Sequence, residues 1–156
     1  MTDTACLSES LGYSFRDEKL LIKALTHTSY ANEQSGSGHR DSNQRLEFLG
    51  DSVLGTVVST YIYGRFPELP EGRLSRLRAE VVCETALAEV AEELSLGSYI
   101  LLGKGERQSG GAEKPSILAD AVEALIAAVY LDGGFETCTR VVMENLEFDQ
   151  KIAAAT

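Results

Sequence analysis

The spacing of hydrophobic residues predicts a chain of helices joined by polar loops. No segment sustains the alternation of apolar and polar positions that a half-buried strand requires, so the expected fold class is all-α, a helical bundle. Helices are predicted over residues 17–27, 44–66, 71–96, 117–131 and 136–147, the third of these being one helix or a pair. Residues 34–43 and 103–114 are rich in glycine and polar or charged residues, and both are predicted to be mobile loops.

Length and composition favour one domain. The 156 residues, 44% of them hydrophobic, are enough to bury one substantial core. We expect this domain to cover residues 1–150, with the alanine-rich residues 151–156 forming a tail or the start of a linker. The first ten residues carry Asp3 and Glu9 and do not resemble a signal peptide, and every apolar run is interrupted too early to span a bilayer. A soluble protein without a membrane partner is expected.

The three cysteines favour a reducing compartment. Cys6, Cys83 and Cys138 are odd in number, widely separated and without a CxxC pair. This pattern argues against a disulfide framework or a thiolate zinc site. No recognisable partner stands beside any of them to support a nucleophilic cysteine. Reduced thiols in the cytoplasm are expected.

The net charge argues against a nucleic-acid partner when it is considered alone. The chain has 24 acidic and 14 basic residues, which gives a net charge of −10. Carboxylates that are gathered around divalent cations reverse the local field, however. The positions of the acids therefore matter more than their number.

The long helix predicted over residues 44–66 is apolar on nearly every side and has no basic residue between Leu46 and Gly64. Such a helix is expected to be central and buried. It nevertheless contains Glu47 and Asp51, which are four residues apart and share one face, together with Gln44.

The helix predicted over residues 117–131 has the same unusual composition. It is apolar on all sides, lacks basic residues, and carries Asp120 and Glu123 three residues apart. Burying an ionised carboxylate costs several kcal/mol unless a positive charge pairs with it. Because neither helix supplies a cation, the four acids of the two helices are candidate oxygen ligands for a hard divalent ion such as Mg²⁺ or Mn²⁺.

Two other interpretations of these acids are open. Acids on solvent-facing helices would require no metal, but interspersed Lys and Arg are then expected and are absent. A di-iron bundle requires Glu-x-x-His on paired helices, whereas Ala24 and Gly36 stand three residues before His27 and His39. The two histidines are therefore interpreted as structural or surface residues. The glycines of residues 103–111 lack the spacing of a phosphate-binding Walker motif.

One continuous motif resembles a known family. Residues 43–51 read N-Q-R-L-E-F-L-G-D, which closely resembles the ribonuclease III signature N-E-R-L-E-F-L-G-D. Further matches follow in the family's order: Leu25-Thr26-His27, Ser29-Tyr30, Glu71-Gly72, Leu77-Arg78-Ala79, Gly110-Gly111, Ser116-Ile117-Leu118-Ala119-Asp120 and Glu123-Ala124-Leu125. The chain is thus identified as similar to the catalytic domain of bacterial ribonuclease III.

The resemblance implies an activity and assigns residues to it. The implied enzyme is a symmetric homodimer that hydrolyses double-stranded RNA to 5′-phosphate and 3′-hydroxyl ends, with Mg²⁺ as cofactor and Mn²⁺ as a substitute, in ribosomal and other RNA processing. Catalysis and metal binding are assigned to Glu47, Asp51, Asp120 and Glu123.

Three further positions follow from the resemblance. Glu71 is implied as an accessory acid near the same cleft. Phe48 matches a dimer-contact phenylalanine, with an ordinary core aromatic as the alternative. Gln44 stands where the family usually has Glu, and it keeps the shape of that side chain without its charge.

RNA would be recognised through its A-form shape, phosphates and 2′-hydroxyls. Candidate backbone contacts are Arg73, Arg76, Arg78, Lys104, Arg107 and Lys114. No double-stranded-RNA-binding domain is recognised within the 156 residues. Two alternatives are a non-catalytic RNA-binding or dimerisation module with the same fold, which only Gln44 favours, and a helical metal-storage protein.

Overall fold

Two long helices cross at the centre of the fold. The computed structural model describes residues 4–156, which form α1 (Ala5–Leu11), α2 (Glu18–Ala24), α3 (Thr28–Ser35), α4 (Gly38–Asp41), α5 (Gln44–Arg65), α6 (Glu71–Val82), α7 (Glu84–Glu93), α8 (Lys104–Gln108), α9 (Pro115–Gly133), α10 (Phe135–Arg140) and α11 (Phe148–Ala155). Two 3₁₀ turns (Leu96–Ser98 and Gly111–Glu113) and a π-helical turn (Val141–Asn145) complete the regular structure. In this part of the chain the only strand-like pairing is one bridge between Thr26 and Leu101. The predicted all-α class is confirmed.

Helix α9 is the most deeply buried element. Pro115 occupies its first position, where a missing backbone N–H costs nothing, and the helix ends before Gly134, whose φ is 89°. Every residue from Ile117 to Val129 except Asp120 is buried. Helices α2, α5, α7 and α10 pack around it, which explains why its sequence lacks a polar face.

Helix α5 lies against α9 and buries one stripe. That stripe consists of Leu46, Gly50, Val53, Leu54, Val57, Val58 and Ile62. The predicted boundary near Phe66 is confirmed within one residue, since α5 ends at Arg65. The segment predicted as one or two helices is a pair, because the chain becomes extended at Cys83, with ψ 164°, between α6 and α7.

Both predicted loops are more ordered than their composition suggests. In the first, α3 continues to Ser35, and the amide of Gly38 donates to Asn32 Oδ1 at 2.9 Å to begin α4. In the second, α8 is held by contacts distant in sequence. The amide of Gly103 donates to Ser29 Oγ at 2.8 Å, and the amide of Lys104 donates to Glu33 Oε2 at 2.6 Å.

The carboxyl-terminal residues also differ from the prediction. Residues 151–155, expected to be a tail or linker, belong to α11, which packs against α6. Its residues Phe148 and Ile152 are buried, and Lys151 pairs with Glu93 of α7 at 2.9 Å. The predicted tail was wrong because two apolar side chains one turn apart anchor this segment to the core. The helix predicted over 136–147 is present as α10 and continues as the π-helical turn.

Candidate metal centre

The predicted acids meet where α5 crosses α9. Glu47, Asp120 and Glu123 each place a carboxylate oxygen within 4.8 Å of the other two. The carboxyl group of Asp51 shares a hydrogen bond with that of Glu123. The two helices thus bring together all four acids that the sequence singled out, although Glu47 and Glu123 are far apart along the chain.

A glycine permits this close approach. A Cβ atom at Gly50 would lie 1.8 Å from the backbone oxygen of Glu123, well inside van der Waals contact. Gly50 lies between Glu47 and Asp51 in sequence and faces α9 while they line the cluster. The absence of a side chain at this position therefore sets the separation of the two acid-bearing helices.

The electrostatics of the cluster favour a bound cation. Glu123 is only 8% exposed, and burial, together with the hydrogen bond to Asp51 and the negative charges nearby, raises its pKa to about 8. Burial and the charges of Asp120 and Asp51 also raise the pKa of Glu47. Burial raises the pKa of Asp120, and the charge of Glu84 adds to this. Such mutual repulsion is relieved when a positive ion enters the cluster.

The donor set suits a hard divalent ion. The cluster consists of carboxylates, and no cysteine or histidine belongs to it within residues 4–156. Mg²⁺ and Mn²⁺ prefer oxygen ligands, and Mg²⁺ is typically held by a few carboxylates and water. The residues present therefore fit the metal that the sequence implies.

Two predicted accessory residues lie outside the cluster. Gln44 is the exposed first residue of α5, and its backbone amide donates to Ser42 Oγ at 3.3 Å. Glu71 is the first residue of α6 and lines a surface groove of about 240 Å³ with Ser59, Ile62, Tyr63, Leu74, Ser75 and Arg78. Ser59 is about 18 Å along α5 from Glu47 at 1.5 Å per residue. Within one chain, Glu71 therefore does not lie next to the carboxylate cluster.

Phe48 is not a core aromatic. Its side chain is 77% exposed on α5, one residue after Glu47, and Tyr63 near the other end of the helix is also 77% exposed. Both residues lie on the side of α5 opposite its buried stripe, which the described part of the chain leaves uncovered.

The six candidate RNA contacts divide into two groups. Three are engaged within the protein: Arg78 donates to Ser59 Oγ at 2.9 Å, Arg107 donates to the carbonyl of Ile100 at 3.1 Å, and Lys114 pairs with Glu106 at 2.5 Å. Arg73, Arg76 and Lys104 are exposed, and none of their side chains has a protein partner in residues 4–156.

Two residues near the cluster were missed by the sequence interpretation. Glu84, the first residue of α7, acts electrostatically on Asp120, and so does His27, the residue that caps α3. No local spacing could reveal either, because each lies on a different element from Asp120. The structural role that the sequence predicts for His27 is confirmed, because its ring accepts from the backbone amide of Ser29 and caps α3; only its effect on Asp120 was not predicted.

The fold is that of solved nuclease domains. Two structures of the nuclease domain of Ribonuclease III from Campylobacter jejuni, one described for flexibility in its dimer-forming region, match with a TM-score of 0.85 and 44% identity. The first covers 94% of this chain and 97% of that one. A structure of Dicer from Pichia stipitis matches with a TM-score of 0.64 and 23% identity, over 89% of this chain and 57% of that one, and shows the shared fold alone.

The sequence comparisons identify the family. The ribonuclease-III-like family matches residues 17–148. Ribonuclease 3 of Caldanaerobacter subterraneus is 54% identical over 88% of this chain and 60% of its own length, and Ribonuclease 3 of Bacillus cereus is 53% identical over 87% and 55%. The chain belongs to the ribonuclease III family. It spans somewhat more than half the length of these relatives.

Proposed function

We propose that this chain is the catalytic domain of an endoribonuclease that hydrolyses double-stranded RNA to 5′-phosphate and 3′-hydroxyl ends. The observation that carries the proposal is the carboxylate cluster at the crossing of α5 and α9 in a member of this family. Ribosomal and other RNA precursors are the proposed substrates. The cytoplasm is the proposed compartment, supported by the three free thiols. Among residues 4–156, no helix has the length and apolar character needed to cross a membrane.

The proposed cofactor is Mg²⁺, with Mn²⁺ as a substitute, held by Glu47, Asp51, Asp120 and Glu123. When bound, a divalent ion of this kind lowers the pKa of water and offsets the charge that develops on a phosphate. The protein contributes by holding its carboxylates on two rigid helices and by excluding solvent from Glu123. Because the pKa of Glu123 is raised to about 8, protonation of this carboxylate is expected to compete with the cation.

The proposed RNA-contacting side chains differ in whether they already have a partner within the protein. Arg73, Arg76 and Lys104 are free to reach phosphate oxygens, whereas Arg78, Arg107 and Lys114 would first have to release their protein partners. Contacts to the backbone supply affinity that falls as salt rises. Substituting the first three with Ala is therefore expected to raise KM more than substituting the second three.

We propose a homodimer in which Phe48 of each protomer enters the groove at the far end of the partner's α5. The groove contains exposed Tyr63 and the aliphatic side chains of Ile62 and Leu74. A twofold axis near the middle of α5 would set each Phe48 opposite that groove, since such an interface is self-complementary. The same arrangement would carry Glu71 towards the partner's metal cluster. Sedimentation of the Phe48→Glu protein as a monomer would support this, and an unchanged dimer would contradict it.

The alternative of a non-catalytic module is not favoured. Retention of the four acids speaks against it: three of them lie within 4.8 Å of each other, and Asp51 is close enough to raise the pKa of Glu123. Gln44 is outside that cluster and exposed, so its missing charge leaves the four carboxylates intact.

A cleavage assay tests the proposal. End-labelled duplex RNA is incubated with Mg²⁺ and the wild-type chain, Glu47→Gln, Asp51→Asn, or the matched control Glu9→Gln at an exposed position of α1. Loss of metal binding removes several kcal/mol of transition-state stabilisation, so both cluster variants should cut at least about 100-fold more slowly while the control is unchanged. A metal-storage protein would bind Mn²⁺ but release no fragments. Absence of cleavage by the wild-type chain at every Mg²⁺ concentration would refute the proposal that the chain is an endoribonuclease.

A further inference from the structure

Buried polar side chains gather at the start of α5. In the described part of the chain, the polar or charged side chains that are buried are those of Thr26, Ser42, Asn43 and Glu123. Glu123 belongs to the carboxylate cluster, whereas Ser42 and Asn43 come directly before α5. A buried polar group is costly unless it is hydrogen-bonded, so the partners of these side chains indicate what they do.

The Asn43 side chain does not cap the helix that follows it. Asn is a preferred N-cap residue, whose oxygen usually accepts from a backbone amide in the first turn. Within residues 4–156, the Asn43 side chain accepts from no amide of α5. Instead, Asn43 Nδ2 donates to the carbonyl of Ala24, the last residue of α2, at 3.1 Å. A carbonyl can only accept, so the atom that faces it is the amide nitrogen. The side chain therefore links two helices.

The backbone of Asn43 strengthens the same link. Its amide donates to the carbonyl of Thr26 at 2.8 Å. The segment that supplies both acceptors is itself fixed, because the amide of Leu101 donates to the carbonyl of Leu25 at 2.8 Å and the amide of His27 donates to that of Leu101 at 3.0 Å. Asn43 is thus bonded twice to a segment that other backbone hydrogen bonds hold in place.

Glu47 is the acid of the cluster that depends most on this link. Its amide donates to the carbonyl of Asn43 at 2.8 Å, which is the first hydrogen bond of α5. Glu47 lies in the first turn of α5, whereas Asp51 lies one turn further along, and Asp120 and Glu123 lie beyond the first turn of α9. Because helix ends fray, loosening the start of α5 would displace Glu47 before the other three acids.

We propose that Asn43 is a positioning residue for Glu47. Its hydrogen bond to Ala24 holds the first turn of α5, so that the Glu47 carboxylate stays within 4.8 Å of the carboxylates on α9. This inference rests on the proposed metal site. Loss of a residue that orients a metal ligand typically weakens metal binding about 10–100-fold. Since Asn43 acts through the backbone of Glu47, we expect the lower end of that range.

Two substitutions remove the link in different ways, and a third is the matched control. Asn43→Leu keeps the approximate size of the side chain and removes its donor, whereas Asn43→Ser is too short to reach the carbonyl of Ala24 but can cap α5. The control Thr26→Val keeps the shape and the carbonyl of Thr26, and removes the hydrogen bond that its Oγ1 donates to the carbonyl of Ile22 at 2.6 Å. Thr26 and Asn43 are similarly buried, 7% and 5% exposed, so the control loses a comparable bond in the same region.

The measurements are the Mn²⁺ affinity without RNA, by titration calorimetry well below every melting temperature, and the melting temperature without metal. Asn43→Leu and Thr26→Val should each melt roughly 3–6 °C lower than the wild type, because each loses one buried hydrogen bond. Only the two Asn43 variants should bind Mn²⁺ about 10-fold more weakly. In a Glu47→Gln background, the Asn43 substitutions should cause no further loss of Mn²⁺ affinity, since two residues that act through one carboxylate are not additive.

Different results identify different failures. If both Asn43 variants bind Mn²⁺ as tightly as the wild type, or if Thr26→Val weakens binding equally, Asn43 has only a structural role. Failure of both Asn43 variants to fold would lead to the same conclusion. An undiminished loss in the Glu47→Gln background would show that Asn43 does not act through Glu47. If the wild-type protein itself binds no Mn²⁺, the proposed metal site is wrong, and the inference about Asn43 is refuted with it.

Discussion

Substitution of Gly50 by alanine provides a sharp test of how the metal centre is built. The added Cβ would lie 1.8 Å from the carbonyl oxygen of Glu123 and 2.5 Å from its carbonyl carbon. Both atoms belong to the backbone of α9, so no side-chain rotation can relieve the clash. Restoring ordinary contact requires α5 and α9 to separate by roughly 1.5 Å at the point where the acids meet.

The energetic cost follows from two opposing effects. Overpacking of a core typically costs about 1–3 kcal/mol, and a rigid backbone neighbour places Gly50→Ala towards the upper end. Alanine also favours the helix by about 1 kcal/mol relative to glycine. The net loss is about 2 kcal/mol, which lowers the melting temperature of a domain of this size by roughly 4–8 °C.

The effect on activity should exceed the effect on stability. A shift of about 1 Å in a catalytic group can cost 10²-fold in rate, and Mg²⁺ tolerates little departure from its short oxygen distances. We therefore expect Gly50→Ala to cut duplex RNA at least about 100-fold more slowly at a temperature where it remains folded. Thermal unfolding and single-turnover cleavage at saturating Mg²⁺ measure the two effects.

Gly64 provides the matched control on the same helix. A Cβ atom at Gly64 would meet nothing within 4 Å. Gly64→Ala should therefore retain wild-type cleavage and gain up to about 1 kcal/mol from helix propensity. If the Gly50 and Gly64 variants prove equally stable and equally active, the glycine contact does not set the spacing of the acids.

Three further predictions concern the buried carboxyl group of Glu123, the hydrogen bond between Tyr13 and Asp132, and the terminal helix α11. In metal-free protein the pKa of Glu123 is raised from 4.5 to about 8, so the contribution of Glu123 to stability is most favourable below about pH 4.5 and is lost as pH rises towards 8. In a chelator at pH 8, Glu123→Gln should therefore melt higher than the wild type and lose that part of the pH slope; parallel slopes in the two proteins would contradict this. Tyr13→Phe removes the hydrogen bond that its hydroxyl donates to Asp132 and should cost about 1 kcal/mol in urea unfolding without changing cleavage. Ile152→Ala should cost about 2–4 kcal/mol, whereas a terminal tail would tolerate the change, and urea unfolding distinguishes the two outcomes.

The clustering of the acids could be predicted from the sequence more fully than the order of the surrounding chain. Carboxylates three or four residues apart in helices without basic residues are a local signal, and helical geometry alone places each pair on one face. The two pairs of acids lie on different helices. In the sequence they were connected only by the lack of basic residues in both helices. That argument and the family signature identified the same four acids.

What the sequence could not provide depends on contacts between distant residues. The order of α8 comes from Ser29 and Glu33, more than 70 residues earlier, and glycine content gave no sign of them. The field of Glu84 on Asp120 likewise depends on how α7 packs. The terminal helix is a different case, because Phe148 and Ile152 have helical spacing that its alanine-rich composition obscured.

Because the proposed cation site lies where α5 crosses α9, cation binding would report whether these two helices are correctly packed. The proposed ligands lie on the two central helices, so binding of the ion would require the hydrophobic interior to be assembled already. A cation at 100 times its dissociation constant would in turn stabilise that interior by about 2.7 kcal/mol. Chelation should therefore lower the free energy of unfolding by a similar amount. Substitutions at apolar positions remote from any phosphate can consequently impair turnover by weakening retention of the ion.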